Sequence, residues 1–486
     1  MLRGSVIRII HQTRPGERPL KGQPLKLTPK NRFGPLGSVF PTNIKNGIRV
    51  TLARRKGRNF HSNTATCQLA GLSEQQRMAR EYQLVIYGAT GFTGGLATKY
   101  VTKQYMNSGL RWAIAGRSKE KLAKLAEQCT DNVPGIIVAD SGDSPSLHKM
   151  ASSTEVIVTT AGPFARYGSA LVAACVKTGT DYCDITGEID WVRGMIAEHD
   201  DAAKSSGSHI VHLCGHDSVP WDLMTLMLAK KLKEGDPEEE LKRIDMYDDI
   251  RSAPSGGTLE TAFGIMFGAE KGLKKSAAST ALGFDPLVKP IEGTQPSPNA
   301  VSVRNVNMLQ MGKGADPHRT MFVMAGVNGN TVKRSNALNG YGPKVTYCEG
   351  QAFKSLWKAI MNQLGFVAFG VSLVIPPIRW FLRKFVLPKP GEGPSEEFMS
   401  TGYLTVTGVA KGTKGGEARG KMHFNVDPGY KDTARMVVEA GLSFVYNRDQ
   451  ITRPGGVYTP ASCQGEVLLK RLTSTGTTFD STFSKK

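Results

Sequence analysis

The stretch YGATGFTGG, residues 87–95, follows directly on the apolar run 82–86 and places glycine at 88, 91 and 94. So little side chain at the end of a strand commits the backbone to a sharp turn into a helix. No Cβ then stands at the turn, at the helix start or where helix meets strand. The N–H groups of that first helical turn lack intrahelical acceptors and carry the positive end of the helix dipole, so they suit a bound phosphate. The spacing is GxxGxxG rather than GxGxxG. Its weight comes from its place, after one strand, before one helix and at the head of a series of βα units.

That series is legible as alternation. Short apolar runs at 82–87, 111–115, 135–139, 156–160, 181–184 and 208–214 are separated by helical patterns, among them 118–129 behind a Ser cap and 168–178 with Ala and Val on a packed face. Six such strands predict an α/β fold, a Rossmann-like doubly wound parallel sheet over 81–245. Beyond 245, Gly-, Ser- and Thr-rich loops surround strand-like runs at 301–308, 320–326, 402–409 and 420–424. They predict a second, mixed α/β domain over 246–430 with an antiparallel sheet. Helical segments at 431–443 and 459–472, within a C-terminal region 431–486, are expected to return over the first domain.

Ligands of doubly wound sheets sit at the carboxyl ends of the strands, so those ends supply the candidate site residues. Gly88, Thr90, Gly91, Phe92, Thr93 and Gly94 form the candidate phosphate loop, with the two threonines as hydroxyl donors. The second strand ends in Arg117 and Ser118, with Lys119 and Lys121 nearby, where an NAD site usually offers Asp or Glu to the ribose. A guanidinium pairs with a 2′-phosphate, so the pattern favours NADPH over NADH. Asp140, ending the third strand, is a neighbour for adenine or an ordinary helix cap. Ala161, Gly162 and Pro163 follow the fourth strand, where a loop approaches the nicotinamide. Tyr167, His216 and Asp217 are the candidate proton donors. Tyr167 has packing against the sheet edge as its alternative role, and Asp217 or Ser218 the capping of a helix that starts near 219. No metal site is expected: His209 lies an odd number of positions from His212 and His216, and the seven cysteines contain no CxxC spacing.

Charge narrows the partners. The chain has 62 Lys and Arg against 42 Asp and Glu, but residues 1–66 hold fourteen of the cations and one acid, Glu17. The remaining 420 residues carry 48 cations and 41 acids, an ordinary balance, so nucleic acid is not an expected partner. Residues 1–80 are expected to form a basic leader, rich in Pro, Gly, Arg and Lys over the first 66 and without a folded pattern. Its start could form a basic amphipathic helix, and residues 58–62 resemble a matrix-processing site. The leader therefore reads either as a mitochondrial presequence or as a basic extension.

One further stretch, 359–378, has twenty residues and no charge before Arg379, with Lys354, Lys358, Arg383 and Lys384 as further cationic flanks. Asn362, Gln363, Gly365, Gly370 and the Pro376–Pro377 pair weaken it as a continuous spanning helix. Shallow insertion into a membrane or lipid-droplet surface, burial in a core or a homodimer interface, and a true span all remain open. The cationic flanks favour the first.

Eight ordered segments carry a resemblance: VIYGATGFTG, AIAGRSKEKL, TTAGPFARYGSALVAACVKTGTDYCDITGE, CGHDSVPWD, SGGT at 255–258, GPSEEFMSTG, DPGYKDTARMVVEAGLSF and GGVYTPASCQGEVLLKRL. From about residue 82 to the end the chain resembles the saccharopine dehydrogenase-like oxidoreductases, a family that includes trans-acting enoyl reductases of glycolipid assembly. It departs from the family pattern at His216, where Phe is usual. The resemblance implies a Rossmann domain, a mixed α/β insertion and an association with lipid droplets, mitochondria or membranes. Three functions stay open. One is an NADPH-dependent enoyl or carbonyl reductase acting on a hydrophobic, lipid-like substrate; the other is a noncatalytic Rossmann scaffold or cofactor sensor on lipid. Saccharopine metabolism is a third.

Overall fold

In chain order the strands are β1 (Tyr82–Tyr87), β2 (Trp112–Gly116), β3 (Gly135–Val138), β4 (Thr154–Thr159), β5 (Asp181–Asp184), β6 (His209–Val211) and β7 (Leu241–Arg251). They continue as β8 (Ala300–Val303), β9 (His318–Thr320), β10 (Lys344–Phe353), β11 (Tyr403–Gly412), β12 (Gly416–Phe424), β13 (Gly456–Tyr458) and β14 (Thr478–Lys485). The structure, a computed structural model, describes residues 73–130, 132–252, 300–306, 308–312, 317–388 and 393–485. The leader before residue 73 and the SGGT motif lie outside the described residues.

The first sheet runs β13-β6-β5-β4-β1-β2-β3 and is parallel throughout, the doubly wound arrangement expected from the alternation. It has seven strands rather than six. The seventh, β13, is three residues from the C-terminal region, too short to show a period and flanked by Pro454 and Pro460. The second sheet runs β14-β12-β11-β7-β10-β8, with β9 on β10. It is mixed: β7, β10 and β8 are parallel, whereas β11, β12 and β14 add antiparallel pairs. The run at 320–326 departs from expectation. Its strand ends at Thr320 and a helix, Ala325–Asn339, takes over, because a short apolar run fits either period and packing decides.

Burial on both faces explains why β1 reads as continuous apolar sequence. Val85 and Tyr87 face a core that includes Ile157, Leu171 and Trp191. Leu84 and Ile86 face the other core, which also holds Met436, Val437 and Ala440 of the helix Thr433–Tyr446. That helix, from the C-terminal region, packs over the first sheet. It lies so close that a Cβ on Gly441 would stand 2.4 Å from Val158 Cγ1. Each fully buried aliphatic here contributes about 1.5–3 kcal/mol.

The apolar stretch forms a helix, Leu356–Val374, that runs through Gly365 and Gly370 rather than breaking there. Each glycine costs about 1 kcal/mol in a helix, too little to stop one this long. The helix ends at Ile375, whose extended backbone precedes Pro376, and a short helix Pro376–Phe381 follows.

Candidate functional site

The phosphate loop begins where β1 ends. Gly88 has φ +82°, a left-handed conformation that disfavours side chains, and a Cβ there would lie 3.0 Å from the Ala161 nitrogen. The Gly88 and Ala89 N–H groups donate to Ala115 O, which ties the turn to β2. Gly91 is the N-cap of the helix Phe92–Gln104 and has no side chain to cap it. The first helical bond runs from Gly95 N to Gly91 O, so the N–H groups of Phe92, Thr93 and Gly94 have no acceptor within the helix. Gly94 lets the helix sit on the turn, since a Cβ there would lie 2.2 Å from Gly88 O. Thr90 and Gly91 are exposed. The result is a bare cradle of N–H donors at the positive end of a helix, a fit for a pyrophosphate.

At the end of β2, Arg117 is exposed, and its Nε stands 4.0 Å from Asp140 Oδ2. Asp140 also accepts from the Gly142 N–H at 2.7 Å, closing a local turn rather than capping a helix. Ser118 is already engaged as the N-cap of the helix Lys119–Ala126: its Oγ accepts from Lys121 N and donates to Glu120. The exposed guanidinium, held only loosely by Asp140, is thus open to a new anion, as are the exposed Lys119 and Lys121.

After β4 the chain returns to the loop. Thr160 Oγ1 donates to Gly88 O at 3.4 Å, and Ala161 packs against Gly88. Pro163 precedes the short helix Phe164–Tyr167, whose Phe164 and Ala165 N–H groups donate to the Glu188 carboxylate at 2.7 and 2.9 Å. Glu188 thereby fixes the segment 161–167 to the end of β5. Tyr167 is half-buried, with Arg166 5.2 Å from its ring centre.

Beyond β6 the turn is held by buried Asp184, which accepts from Tyr182 OH, Thr186 N, His212 Nδ1 and Leu213 N. Leu213, at φ +67°, is the sole non-glycine with left-handed backbone among the described residues, and those four donors hold the turn around it. His216 is buried, its Nδ1 has no hydrogen-bond partner, and loss of water pushes its pKa down to about 3. It is therefore neutral near pH 7 and cannot serve as an imidazolium acid. Asp217, partly exposed beside it, is pushed up to about 6 by desolvation. Ser218 is the N-cap of the helix Val219–Gly235 without making a side-chain capping bond.

Three contributors were not foreseen. Tyr430 meets Phe92 edge-on, with ring centres 5.3 Å apart, and Thr433 Oγ1 accepts from the His216 N–H. Glu188 is the third. Behind His216, Trp221 donates to Asp248 Oδ1 at 2.8 Å, and Asp248 faces Glu349, a carboxyl held by Tyr347 OH and Asn328. Both acids are fully buried. Desolvation raises Asp248 well above the carboxylate range and Glu349 to about 7.

Residues 84–211 match the model of the saccharopine dehydrogenase NADP binding domain. A Mycobacterium tuberculosis protein provisionally named a trans-acting enoyl reductase is 33% identical over 417 residues, covering 83% of this chain and 98% of that one. A trans-acting enoyl reductase of Mycobacterium leprae is also 33% identical, over 427 residues with the same coverage. The chain belongs to the saccharopine dehydrogenase-like oxidoreductases. Its cofactor is NADP(H), and it is a member of an NADP-binding oxidoreductase family. A solved structure, apo histidine-tagged saccharopine dehydrogenase (L-Glu forming) from Saccharomyces cerevisiae, is 11% identical with a TM-score of 0.47, over 82% of this chain and 100% of that one.

Proposed function

We propose that the protein is an NADPH-dependent reductase acting on an enoyl or carbonyl group of a hydrophobic, lipid-like substrate at a membrane or lipid-droplet surface. The observation that carries this reading is a bare phosphate loop set on the same sheet edge as a desolvated acid, Asp217. The N–H groups of residues 92–94 would hold the pyrophosphate, and Arg117, now in loose contact with Asp140, would meet the 2′-phosphate. Bound NADPH supplies the hydride. The protein orients the acceptor, excludes water and holds a proton at the Asp217 carboxyl, for delivery to the α-carbon of an enoyl group or to a carbonyl oxygen. The names of the mycobacterial relatives support the enoyl class. The exposed apolar segment from residue 356 onward supports a hydrophobic substrate.

Loss of NADPH absorbance with long-chain trans-2-enoyl thioesters, aldehydes and imines tests the reading, and turnover of an enoyl thioester is the expected result. Tight NADPH binding without turnover of any of them would replace the reductase with a noncatalytic, cofactor-sensing scaffold.

A further inference from the structure

Some glycines near the carboxyl edge of the first sheet are demanded by packing. An added Cβ would lie 2.2 Å from Gly88 O at Gly94, and 3.3 Å from both Ile185 Cβ and Thr433 Cγ2 at Gly215. Gly187, three residues past the end of β5, is different. Its φ is not left-handed, and among the described residues the one atom within 4 Å of an added Cβ is Met324 Cε, at an ordinary 3.8 Å. Its carbonyl accepts from the Ile189 N–H at 3.1 Å, a bond between backbone atoms that any residue can make. Neither packing nor the turn calls for glycine at this half-exposed position. Bare backbone at a strand end suits the close approach of a ligand.

The space over Gly187 lies among the parts of the site. One residue on, the Glu188 carboxylate accepts from the Phe164 and Ala165 N–H groups at 2.7 and 2.9 Å, in the segment expected near the nicotinamide. Two residues back, Ile185 packs on Gly215, which comes two positions before Asp217. From the other side, Thr331 Oγ1, seven positions after Met324, lies 3.4 Å from Ser218 Oγ. The loop 185–188 and the helix Ala325–Asn339 therefore flank the turn that carries the acid.

What lines this gap is apolar. The polar groups of the loop are committed to the protein: Thr186 N donates to Asp184 Oδ1 at 3.1 Å, Glu188 N donates to Thr186 Oγ1 at 3.0 Å, and the Glu188 carboxylate is engaged as above. Ile185 and Met324 remain, both half-buried. Methionine is unbranched and flexible, so its methyl can move to suit an alkyl chain. The segment 321–324 also joins this gap to the exposed apolar helix, because the Met321 N–H donates to Gln363 Oε1 at 3.2 Å. Between them, Phe322 packs on Trp221 with ring centres 5.5 Å apart, and Trp221 lies 5.4 Å from His216.

We propose that the gap between Gly187 and Met324 receives the alkyl chain of the acceptor, and that the size of these two side chains sets which chain fits. The proposal rests on the reductase reading for its substrate class and deepens it.

The test uses the full chain loaded with NADP+ and titrated with the butanoyl and decanoyl thioesters of N-acetylcysteamine, which carry no charge. The wild type is expected to bind the decanoyl thioester more tightly, since each further methylene is buried. Gly187→Leu is expected to raise the decanoyl Kd about 10-fold or more, with the NADPH Kd near its wild-type value, and Met324→Ala added to it is expected to recover most of the loss. Gly187→Ala, whose Cβ meets Met324 at ordinary contact distance, is expected to raise the decanoyl Kd by a smaller factor and decides the matter if Gly187→Leu does not fold. Absence of decanoyl binding by the wild type, or an unaltered Kd in the Gly187 variants, overturns the gap. A loss that Met324→Ala does not recover overturns Met324 as its facing wall. The reductase reading is decided separately: decanoyl binding without NADPH-dependent reduction of the trans-2-decenoyl thioester overturns that reading and keeps the gap, whereas reduction with unaltered affinity in the variants keeps the reading and overturns the gap.

Discussion

Two glycines of the phosphate loop separate the demands of folding from those of binding. At Gly94 an added methyl would lie 2.2 Å from Gly88 O and 2.8 Å from Ala89 Cα. Both are backbone atoms, so no side chain can rotate away and the helix must lift from the turn. Overpacking of this kind costs about 1–3 kcal/mol or more, and Gly94→Ala is expected to lower the Tm by several degrees and to weaken NADPH together with it. At Gly91, φ is −77° and the nearest atom to an added Cβ is Gly88 O at 3.3 Å. A shift of a few tenths of an ångström accommodates it, so Gly91→Ala is expected to cost about 1 kcal/mol or less in stability. Its methyl nevertheless stands at the exposed helix start, where the pyrophosphate must come closest. Losing that approach costs about 1.4–2.8 kcal/mol, a 10- to 100-fold rise in NADPH Kd. Thermal unfolding and NADPH titration on both variants make the test. Unchanged NADPH affinity in Gly91→Ala would refute the cradle and leave the glycines as turn residues only.

Arg117→Ala is expected to raise the Kd for NADPH about 10- to 100-fold, the worth of a charged hydrogen-bonded pair, while the Kd for NADH stays near its original value; equal losses in titrations of both would exclude a 2′-phosphate contact. Asp217→Asn is expected to lower kcat at least ~10-fold with NADPH affinity kept, and wild-type kcat is expected to fall as pH rises through about 6, the value to which desolvation lifts this acid. A flat pH profile, or a variant of full activity, would remove Asp217 from the chemistry. Glu349, lifted by burial from 4.5 to about 7, binds its proton more tightly when folded; its contribution is full below 4.5 and is lost as pH rises through about 7. The Tm is therefore expected to drop between pH 5 and 8, by a contribution on the order of 3 kcal/mol. Glu349→Gln, which removes the titrating proton and keeps an amide for Tyr347 and Asn328, is expected to shrink that drop, and parallel profiles for the two proteins would refute the assignment.

The first sheet was legible because most of its first six strands are local apolar runs bounded by turn residues, and because burial on both faces of the central β1, β2 and β4 leaves no polar alternation to confuse the pattern. The strand boundaries moved by a few residues where the ends leave the sheet, as at β6, which keeps His209–Val211 of the expected run 208–214. There Asp184 takes over Leu213 N, ending the ladder with a side chain that sequence spacing does not point to. β13 was out of reach for the opposite reason. Three residues have no period, and their place beside β6 comes from a return of the chain across more than two hundred positions. The mixed character of the second sheet was hidden similarly, since β7, β10 and β8 become parallel only through long crossovers.

For the site, what could be read was what the backbone itself dictates. A positive φ at Gly88 and a 2.2 Å approach at Gly94 forbid side chains whatever surrounds them, so the glycine spacing announces the loop locally. Protonation is different, because it depends on what covers a group rather than on the group. His216 and Asp217 are neighbours in sequence, and desolvation drives both toward their uncharged forms, which disqualifies the imidazole as a cationic acid and qualifies the carboxyl as a neutral one. Part of that cover is the start of the helix Thr433–Tyr446, whose Thr433 accepts from the His216 N–H. Tyr430, a few residues earlier, reaches Phe92. A single distant segment thus meets both the turn that carries the acid and the helix of the phosphate loop, and a change there is expected to act on proton delivery and on nucleotide affinity together.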